Sequence, residues 1–454
     1  MRPDKENRSL TAPVLNPSSG LSLRANFSWT FVGNAINAGA WWAMTIVLAQ
    51  LGSPEHVGQF ALGLATTAPI FMFATLRLRD VQATDTKQEY LFGDYFAMRL
   101  ITTALALLAV AGIVVVSGFD LETSLVILAT GVSKAIEAIS DAFYGLFMQQ
   151  ERLDRIAKSM IIKGPLSLIG LGLGFYLTGS VFWGVIGLSL ARAVMTVGYD
   201  IRNATLSLNP SAKLIGHFIP RDFPGPRWNR FILTRLVWLT LPLGFVTMLI
   251  SFNANVPRYF IEGYLGVHLL GIFAAITAFQ KAAPTVVQAL GRSASPRLAK
   301  YYAADNVKAF RRLTLRLIGI GALLGSAGVL VALVAGREIL TLFYGAEYAL
   351  PGLFVLVMID AGLDYISTML LFVITSARYL RVQLPLYLLT TVTVALGCYI
   401  LVPSSGLQGA AVAIIISELV RLAGSLAVVW HALRSLHRRP RATEPQISAY
   451  KLQG

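Results

Sequence analysis

The sequence predicts an all-α polytopic membrane protein, with about twelve transmembrane helices arranged in two six-helix lobes. The first observation behind this prediction is composition. Of the 454 residues, 55% are hydrophobic and 13% are charged, and the mean hydropathy is +0.64. An ordinary soluble domain has about 25% charged residues, and a soluble globule could not bury this much apolar surface. Since one span takes about 20 apolar residues, the chain has room for about twelve.

Composition also excludes several classes of site. Cys398 is the single cysteine, so disulfide frameworks and cysteine metal sites are excluded. The five histidines are scattered without an HxxxH or HExxH pattern, and no Walker motif is present. We therefore expect no metal, no cofactor and no nucleotide hydrolysis.

The second observation is the succession of apolar segments. Residues 1–25 are polar and lack a short apolar core with a cleavage site, so we expect a retained tail and not a secretory signal. The predicted spans are 28–50, 57–76, 95–117, 122–148, 159–178, 180–200, 230–251, 263–290, 313–335, 350–375, 384–402 and 408–432. The predicted organisation is an N-terminal tail (1–25), an N-lobe with helices 1–6 (26–205), an interlobe loop (206–229), a C-lobe with helices 7–12 (230–432) and a basic tail (433–454).

The third observation is the distribution of cations among the loops. One alternating set of loops, together with both tails, holds nearly all of the lysines and arginines outside the spans. The opposite set holds only Arg258 and Arg337. The positive-inside rule therefore predicts that both tails and the interlobe loop are cytoplasmic. The cations behind the net charge of +15 then set the orientation of the chain and attract the anionic lipids of the cytoplasmic leaflet. We expect no nucleic-acid partner, because no loop is long enough to form a binding domain.

An internal repeat links the two halves of the chain. Gly58-Gln59-Phe60-Ala61 and Gly271-Ile272-Phe273-Ala274 each begin an even-numbered span, and Arg79 and Arg292 follow them at the same spacing. The pattern predicts a six-plus-six duplication. Parallel repeats of this kind are typical of transporters in which the substrate site lies between the lobes and access alternates between the two sides.

Charges inside the bilayer are the candidate functional residues, because each costs about 2.5–3.5 kcal/mol to insert. Span 4 carries Lys134, Glu137 and Asp141 at spacings that place them on one helix face. They predict either the wall of a hydrated cavity with titratable carboxylates or an internally paired cluster. Glu137 is the first choice for proton coupling, because it is nearest to mid-depth and one turn from Lys134.

Other spans add further candidates. Fixed cations suit an anionic, oxygen-rich substrate, because guanidinium groups match phosphate geometry. Glu418 could instead form a structural pair with Arg421, Lys281 could extend to the membrane surface, and the asparagines could join helices. The candidates for substrate binding are Lys134, Arg192, Lys281, Asn34 and Asn37. The candidates for proton or ion coupling are Glu137, Asp141, Asp360, Asp364 and Glu418.

Three segments carry a resemblance to a known family. They are residues 76–85 (LRLRDVQATD), residues 255–262 (NVPRYFIE) followed by Leu265-Gly266 and Gly271–Ala274, and residues 344–348 (YGAEY). Because the three segments occur in this order along the chain, it resembles the polysaccharide transporters, or Wzx-type flippases, of the multidrug/oligosaccharidyl-lipid/polysaccharide (MOP) exporter superfamily. The resemblance covers roughly residues 25–432.

The resemblance implies a function without enzymatic activity. Members of the family move undecaprenyl-diphosphate-linked oligosaccharides from the cytoplasmic to the periplasmic leaflet of the bacterial inner membrane, by alternating access coupled to cation or proton antiport. Their products serve O-antigen, capsule or exopolysaccharide synthesis, and the implied partners include a glycan polymerase and a chain-length regulator. Arg79, Asp85 and Arg258 match the family motifs, and Arg77 lies in the first of them. The substrate-binding candidates also include Arg79 and Arg258 from these motifs, and Arg292, which stands at the repeat position of Arg79.

Other functions stay open at this point. Another exporter of the superfamily could be a drug/ion antiporter, whose cavity is typically more acidic and aromatic, or a peptidoglycan-precursor flippase, which usually has fourteen spans. A membrane-embedded glycan polymerase or ligase would require a large periplasmic loop. A non-transporting scaffold would not need the intramembrane charges.

Overall fold

The computed structural model describes residues 23–85, 87, 89–208, 214–215, 219–220, 225–281, 284–379 and 381–438. Most of the two predicted tails and part of the predicted interlobe loop lie outside these residues. The described chain is almost entirely helical, which confirms the predicted all-α polytopic fold class.

The elements follow one another along the chain in a simple order. The helices are α1 (Leu23–Leu51), α2 (Pro54–Ala74), α3 (Leu78–Thr84), α4 (Phe92–Ser117), α5 (Leu121–Gln149), α6 (Leu153–Thr178), α7 (Val181–Met195), α8 (Arg202–Leu208), α9 (Arg230–Ala278), α10 (Pro284–Ala303), α11 (Val307–Tyr344), α12 (Pro351–Ser376) and α13 (Gln383–Arg438). A π-helical segment, Thr196–Ile201, joins α7 to α8, and 3₁₀ turns lie at Phe279–Lys281 and Ala346–Tyr348. Two short antiparallel strands, β1 (Leu214–Ile215) and β2 (Ile219–Pro220), follow α8.

Ten helical segments of the described chain are long and apolar enough to cross a membrane. Two of them are long enough for two crossings each, with 49 residues in Arg230–Ala278 and 54 in Gln383–Leu436. Each contains a backbone break, at Gly266 (φ 84°) and at Gly406 (φ 57°). These φ values favour glycine, because a side chain would be strained there. The break at Gly406 divides α13 into two spans, and the break at Gly266 separates span 7 from the first part of span 8.

Several predicted loops are helical instead. Residues 252–262 belong to α9, which continues to the break at Gly266, and residues 291–303 complete α10. Span 8 is therefore divided between the end of α9 and α10. The prediction failed here because the cations of α10 lower its hydropathy, although Val287, Gly291, Ala294 and Leu298 form a buried stripe at helical spacing.

The chain forms two compact units. The first extends to Glu262 and includes Gly266–Ala275, and the second comprises Gly263–Leu265 and the described residues from Ile276 onward. The predicted lobe boundary at 206–229 rests on the internal repeat, which packing does not test, and it stays a prediction. In the first unit α5 packs against α2, α3, α4 and α7. This central position directs the polar side chains of α5 towards neighbouring helices.

Candidate substrate and coupling sites

A cluster of three charged side chains joins α5 to α7 in the first unit. The Glu137 Oε2 atom lies 3.0 Å from Lys134 Nζ and 3.0 Å from Arg192 Nη1. Arg192 Nη1 also donates to Ser133 Oγ at 3.0 Å. The pair that the second alternative expects between Lys134 and Glu137 is therefore present, and a third charge from another helix completes the cluster.

Trp41 of α1 forms a common face for both cations. Lys134 Nζ lies 5.3 Å from the centre of a Trp41 ring, and the Arg192 guanidinium carbon lies 5.0 Å from it. Both distances fall within the range of cation–π attraction. The structure thus gathers two cations, one carboxylate and one aromatic face from three helices. We refer to Trp41, Lys134, Glu137 and Arg192 as the α5–α7 charge cluster.

Asp141 belongs to a separate group of charges. Its Oδ1 atom lies 3.1 Å from Arg79 Nη1, and its Oδ2 atom lies 3.0 Å from Arg99 Nη2. The Arg99 side chain is only 1% exposed. Arg99 lies near the start of the third span and was not among the predicted candidates. Asp141 therefore holds two arginines from α3 and α4.

A third polar group is buried, and its charged members were not among the predicted candidates. Lys163 Nζ of α6 lies 2.8 Å from Asp200 Oδ2, and Asp200 is completely buried in the π-helical segment. Ser140 and Ser159 donate to the two oxygens of Asp200, at 2.5 and 2.7 Å. Tyr144 completes the network by contacting both Lys163 and Ser159. Lys163 and Asp200 could have been found from the sequence, because each is a charged residue within a predicted apolar span.

The motif residues Asp85 and Arg77 shape the connection between α2 and α4. Asp85 accepts hydrogen bonds from the backbone nitrogens of Glu89 and Tyr90 and from the Tyr95 hydroxyl, at 3.0, 3.1 and 3.1 Å. Arg77 pairs with the exposed Asp80 at 3.1 Å. These contacts are local and give both residues a structural role in the turn.

The second unit contains its own group of carboxylates. Arg421 of α13 pairs with Asp364 of α12 and with Glu418, whose Oε1 lies 2.7 Å away. The predicted structural pair between Glu418 and Arg421 is therefore present. Asp360 differs, because its Oδ2 accepts a 2.8 Å hydrogen bond from the Gln280 amide and no described cation lies within ion-pair distance.

The remaining candidates do not join these groups. Arg258 bonds to Asn255 one turn earlier on α9, at 3.1 Å. Arg292 is exposed on α10 and donates a hydrogen bond to Gln288 Oε1 at 3.4 Å. Asn34 and Asn37 are half-buried on α1 and make no hydrogen bond to another described side chain or backbone group. The side chain of Lys281 lies outside the described part of the structure.

Metal-ligating side chains do not cluster in the described segments. No group of three or more His, Cys, Asp or Glu side chains there could hold a metal ion. The expectation of no metal and no cofactor stays a prediction.

Comparison with known proteins adds a relative and a fold. No protein-family model matches the chain. A capsular polysaccharide biosynthesis protein, CapF of Staphylococcus aureus, is 27% identical over 409 residues, which cover 87% of this chain and 96% of the relative.

Solved structures of MATE transporters share the fold at low sequence identity. A mutant of VcmN from Vibrio cholerae is 15% identical, with a TM-score of 0.58 over 92% of this chain and 98% of that one. An inward-facing multidrug resistance MATE family transporter of the MOP superfamily is also 15% identical, with a TM-score of 0.60 over 93% and 97%. These findings confirm the resemblance that the sequence motifs indicate: the chain is a multi-pass membrane protein with the fold of MOP-superfamily transporters and is similar in sequence to a capsular polysaccharide biosynthesis protein.

Proposed function

We propose that this protein is a flippase that moves undecaprenyl-diphosphate-linked oligosaccharide from the cytoplasmic to the periplasmic leaflet of the bacterial inner membrane. The observation that carries the proposal is the α5–α7 charge cluster, in which Lys134 and Arg192 converge on Trp41 within a membrane-spanning unit. The capsular polysaccharide relative supports a glycan substrate. The product would serve capsule, exopolysaccharide or O-antigen synthesis, with a glycan polymerase and a chain-length regulator as partners.

The cluster suits the diphosphate group of such a lipid. Lysine and arginine donate charge-assisted hydrogen bonds to phosphate oxygens, and these are roughly twice as strong as neutral ones. The substrate meets them in a low-dielectric environment, where the attraction is greater than in water. We expect the lobes to alternate their access to the two sides of the membrane, as parallel repeats allow.

Energy coupling by proton antiport is part of the proposal, and the contacts favour Asp360 over Glu137 as the coupling residue. Among the predicted coupling carboxylates, Glu137, Asp141, Asp364 and Glu418 each contact a described arginine or lysine. Asp360 is instead held by the Gln280 amide.

The surroundings of Asp360 are well suited to proton exchange. Asp364 and Tyr365 share its helix, Glu418 and Arg421 approach from α13, and Gln280 precedes α10. One arginine faces three carboxylates in this group. A proton bound at Asp360 would relieve their mutual repulsion, because a like charge disfavours ionisation of its neighbour.

The proposal is tested with a labelled lipid-linked glycan in proteoliposomes. We expect Arg192→Ala and Lys134→Ala to lower translocation at least tenfold while the protein still accumulates in the membrane. Arg337→Ala, which removes an exposed cation from α11, is the matched control and should retain translocation. Full activity of both cluster variants would show that the cluster is not the diphosphate site, and no glycan translocation by the wild type would contradict the flippase proposal. If the protein exported a cationic drug and translocated no glycan, a drug/ion antiporter would be the better assignment.

A further inference from the structure

We infer that Glu137 is a displaceable counter-anion, which holds the two cations of the α5–α7 charge cluster until a diphosphate takes its place. The inference rests on the proposed function and assigns Glu137 a specificity role instead of the proton-coupling role first considered. It follows from three features of the cluster: the sharing of one oxygen, the order of exposure and the balance of charge.

Both cations share a single oxygen of Glu137. Lys134 Nζ and Arg192 Nη1 each lie 3.0 Å from Oε2. Two donors that converge on one oxygen can instead take two different oxygens of a phosphate or diphosphate. A ligand with several anionic oxygens therefore satisfies this pair of cations better than one carboxylate oxygen does.

The order of exposure allows the exchange. The Arg192 side chain is 5% exposed, that of Lys134 is 21% exposed and that of Glu137 is 45% exposed. Arg192 is also fixed by Ser133 and by the Trp41 ring. The anion is thus the most exposed member, so it can rotate away while the cations keep their positions.

The charge balance favours a ligand with more than one negative charge. Two cations and one carboxylate leave the cluster with one uncompensated positive charge. Lys163 does not take part in the exchange, because it is paired with the buried Asp200. Replacing Glu137 with a diphosphate would neutralise both cations, whereas a monoanionic ligand would offer no advantage over the carboxylate.

Binding of inorganic pyrophosphate to the purified full-length protein in detergent tests the inference. With calorimetry at constant salt, we expect Glu137→Gln to bind pyrophosphate at least fivefold more tightly than the wild type, because the internal competitor is lost. Asp80→Asn makes the same change in net charge at an exposed ion pair on α3 and should leave the affinity unchanged. Adding Arg192→Ala to Glu137→Gln should abolish the gain.

A translocation assay and a second variant extend the test. In translocation assays, Glu137→Gln should lower KM for the lipid-linked glycan and lower kcat, because release becomes slow. Should Glu137→Gln fail to fold, Glu137→Asp, whose shorter side chain weakens the contact with the cations, should tighten pyrophosphate binding to a smaller degree.

Equal pyrophosphate affinity in the wild type and these folded variants would overturn the inference without affecting the flippase proposal. Tighter pyrophosphate binding in Glu137→Gln, together with no glycan translocation by the wild-type protein, would overturn the flippase proposal and leave only an anion-binding site.

Discussion

Gly58 of α2 and Gly271 of α9 pack backbone against backbone within the first unit. A Cβ atom on Gly58 would overlap the carbonyl oxygen of Val267, and one on Gly271 would overlap that of Pro54 and lie 2.8 Å from the nitrogen of Gly58. Val267 and Pro54 each precede the partner glycine by one helical turn, so the contact is reciprocal. Such close approach is typical of two membrane helices that meet at small residues.

Gly271→Ala is therefore expected to destabilise the protein. A methyl group at this position meets the backbone of α2, which cannot rotate away as a side chain could. Overpacking typically costs about 1–3 kcal/mol, and the variant should unfold at a lower temperature than the wild type in detergent. Gly263→Ala on the same helix is the control, since nothing lies within 4 Å of a Cβ there. Equal melting temperatures for both variants would show that the helices can separate without cost.

The Lys163–Asp200 pair gives a second prediction about stability. Lys163→Met leaves a fully buried carboxylate without its cation, a change that typically costs about 3–5 kcal/mol. We expect the double variant Lys163→Met with Asp200→Leu to recover part of this loss, because no unpaired charge is left behind. Chemical unfolding of the single and double variants measures the difference. A double variant as unstable as Lys163→Met would mean that the serine and tyrosine contacts dominate the network.

Asp141 is predicted to stabilise the fold through its two arginines. Asp141→Asn removes the charge that faces Arg99, which is 1% exposed, and leaves a buried guanidinium without a counter-ion. Asp141→Asn should therefore lower the melting temperature more than Asp80→Asn does. The latter breaks an exposed pair that contributes about 0–1 kcal/mol. Thermal unfolding of both variants provides the comparison. Similar melting temperatures would argue against a structural role for Asp141.

Proton coupling through Asp360 is tested by imposing a proton gradient on proteoliposomes. Asp360→Asn should still bind the lipid-linked glycan, but its translocation rate should not respond to the gradient, because the amide cannot exchange a proton. Glu347→Gln, which changes a carboxylate in the 3₁₀ turn before α12, should keep the wild-type response. A full gradient response in Asp360→Asn would exclude this residue as the coupling site.

The orientation of the chain is tested by cysteine labelling. Cys398 is the single cysteine of the chain, so Cys398→Ala provides a background without native thiols. We expect a cysteine at Phe119 or Ser404 to react with a membrane-impermeant reagent added from the periplasmic side. Tags at Gly454 and in the Arg221–Arg227 loop should report the cytoplasm. Labelling of Phe119 and the Arg221 loop from the same side would refute the span count.

The sequence by itself determined the fold class, the approximate spans and most of the charged candidates. Hydropathy and cation placement are properties of single residues averaged over a window, so they can be read without knowing which helices touch. The same averaging explains the errors. Residues 252–262 and 291–303 carry polar or charged side chains on one face, and the average concealed that they continue a helix.

Only the tertiary structure decided which charges meet. Lys134, Glu137 and Asp141 share a face of α5, yet Glu137 pairs with Arg192, 55 positions away, and Asp141 pairs with Arg79 and Arg99. The buried pair of Lys163 and Asp200 likewise joins two different helices. Such pairings depend on the rotation of each helix about its axis and on its close approach to its neighbours. Both are set by packing between residues far apart in the sequence, as at Gly58 and Gly271, where the absence of side chains brings two backbones into contact.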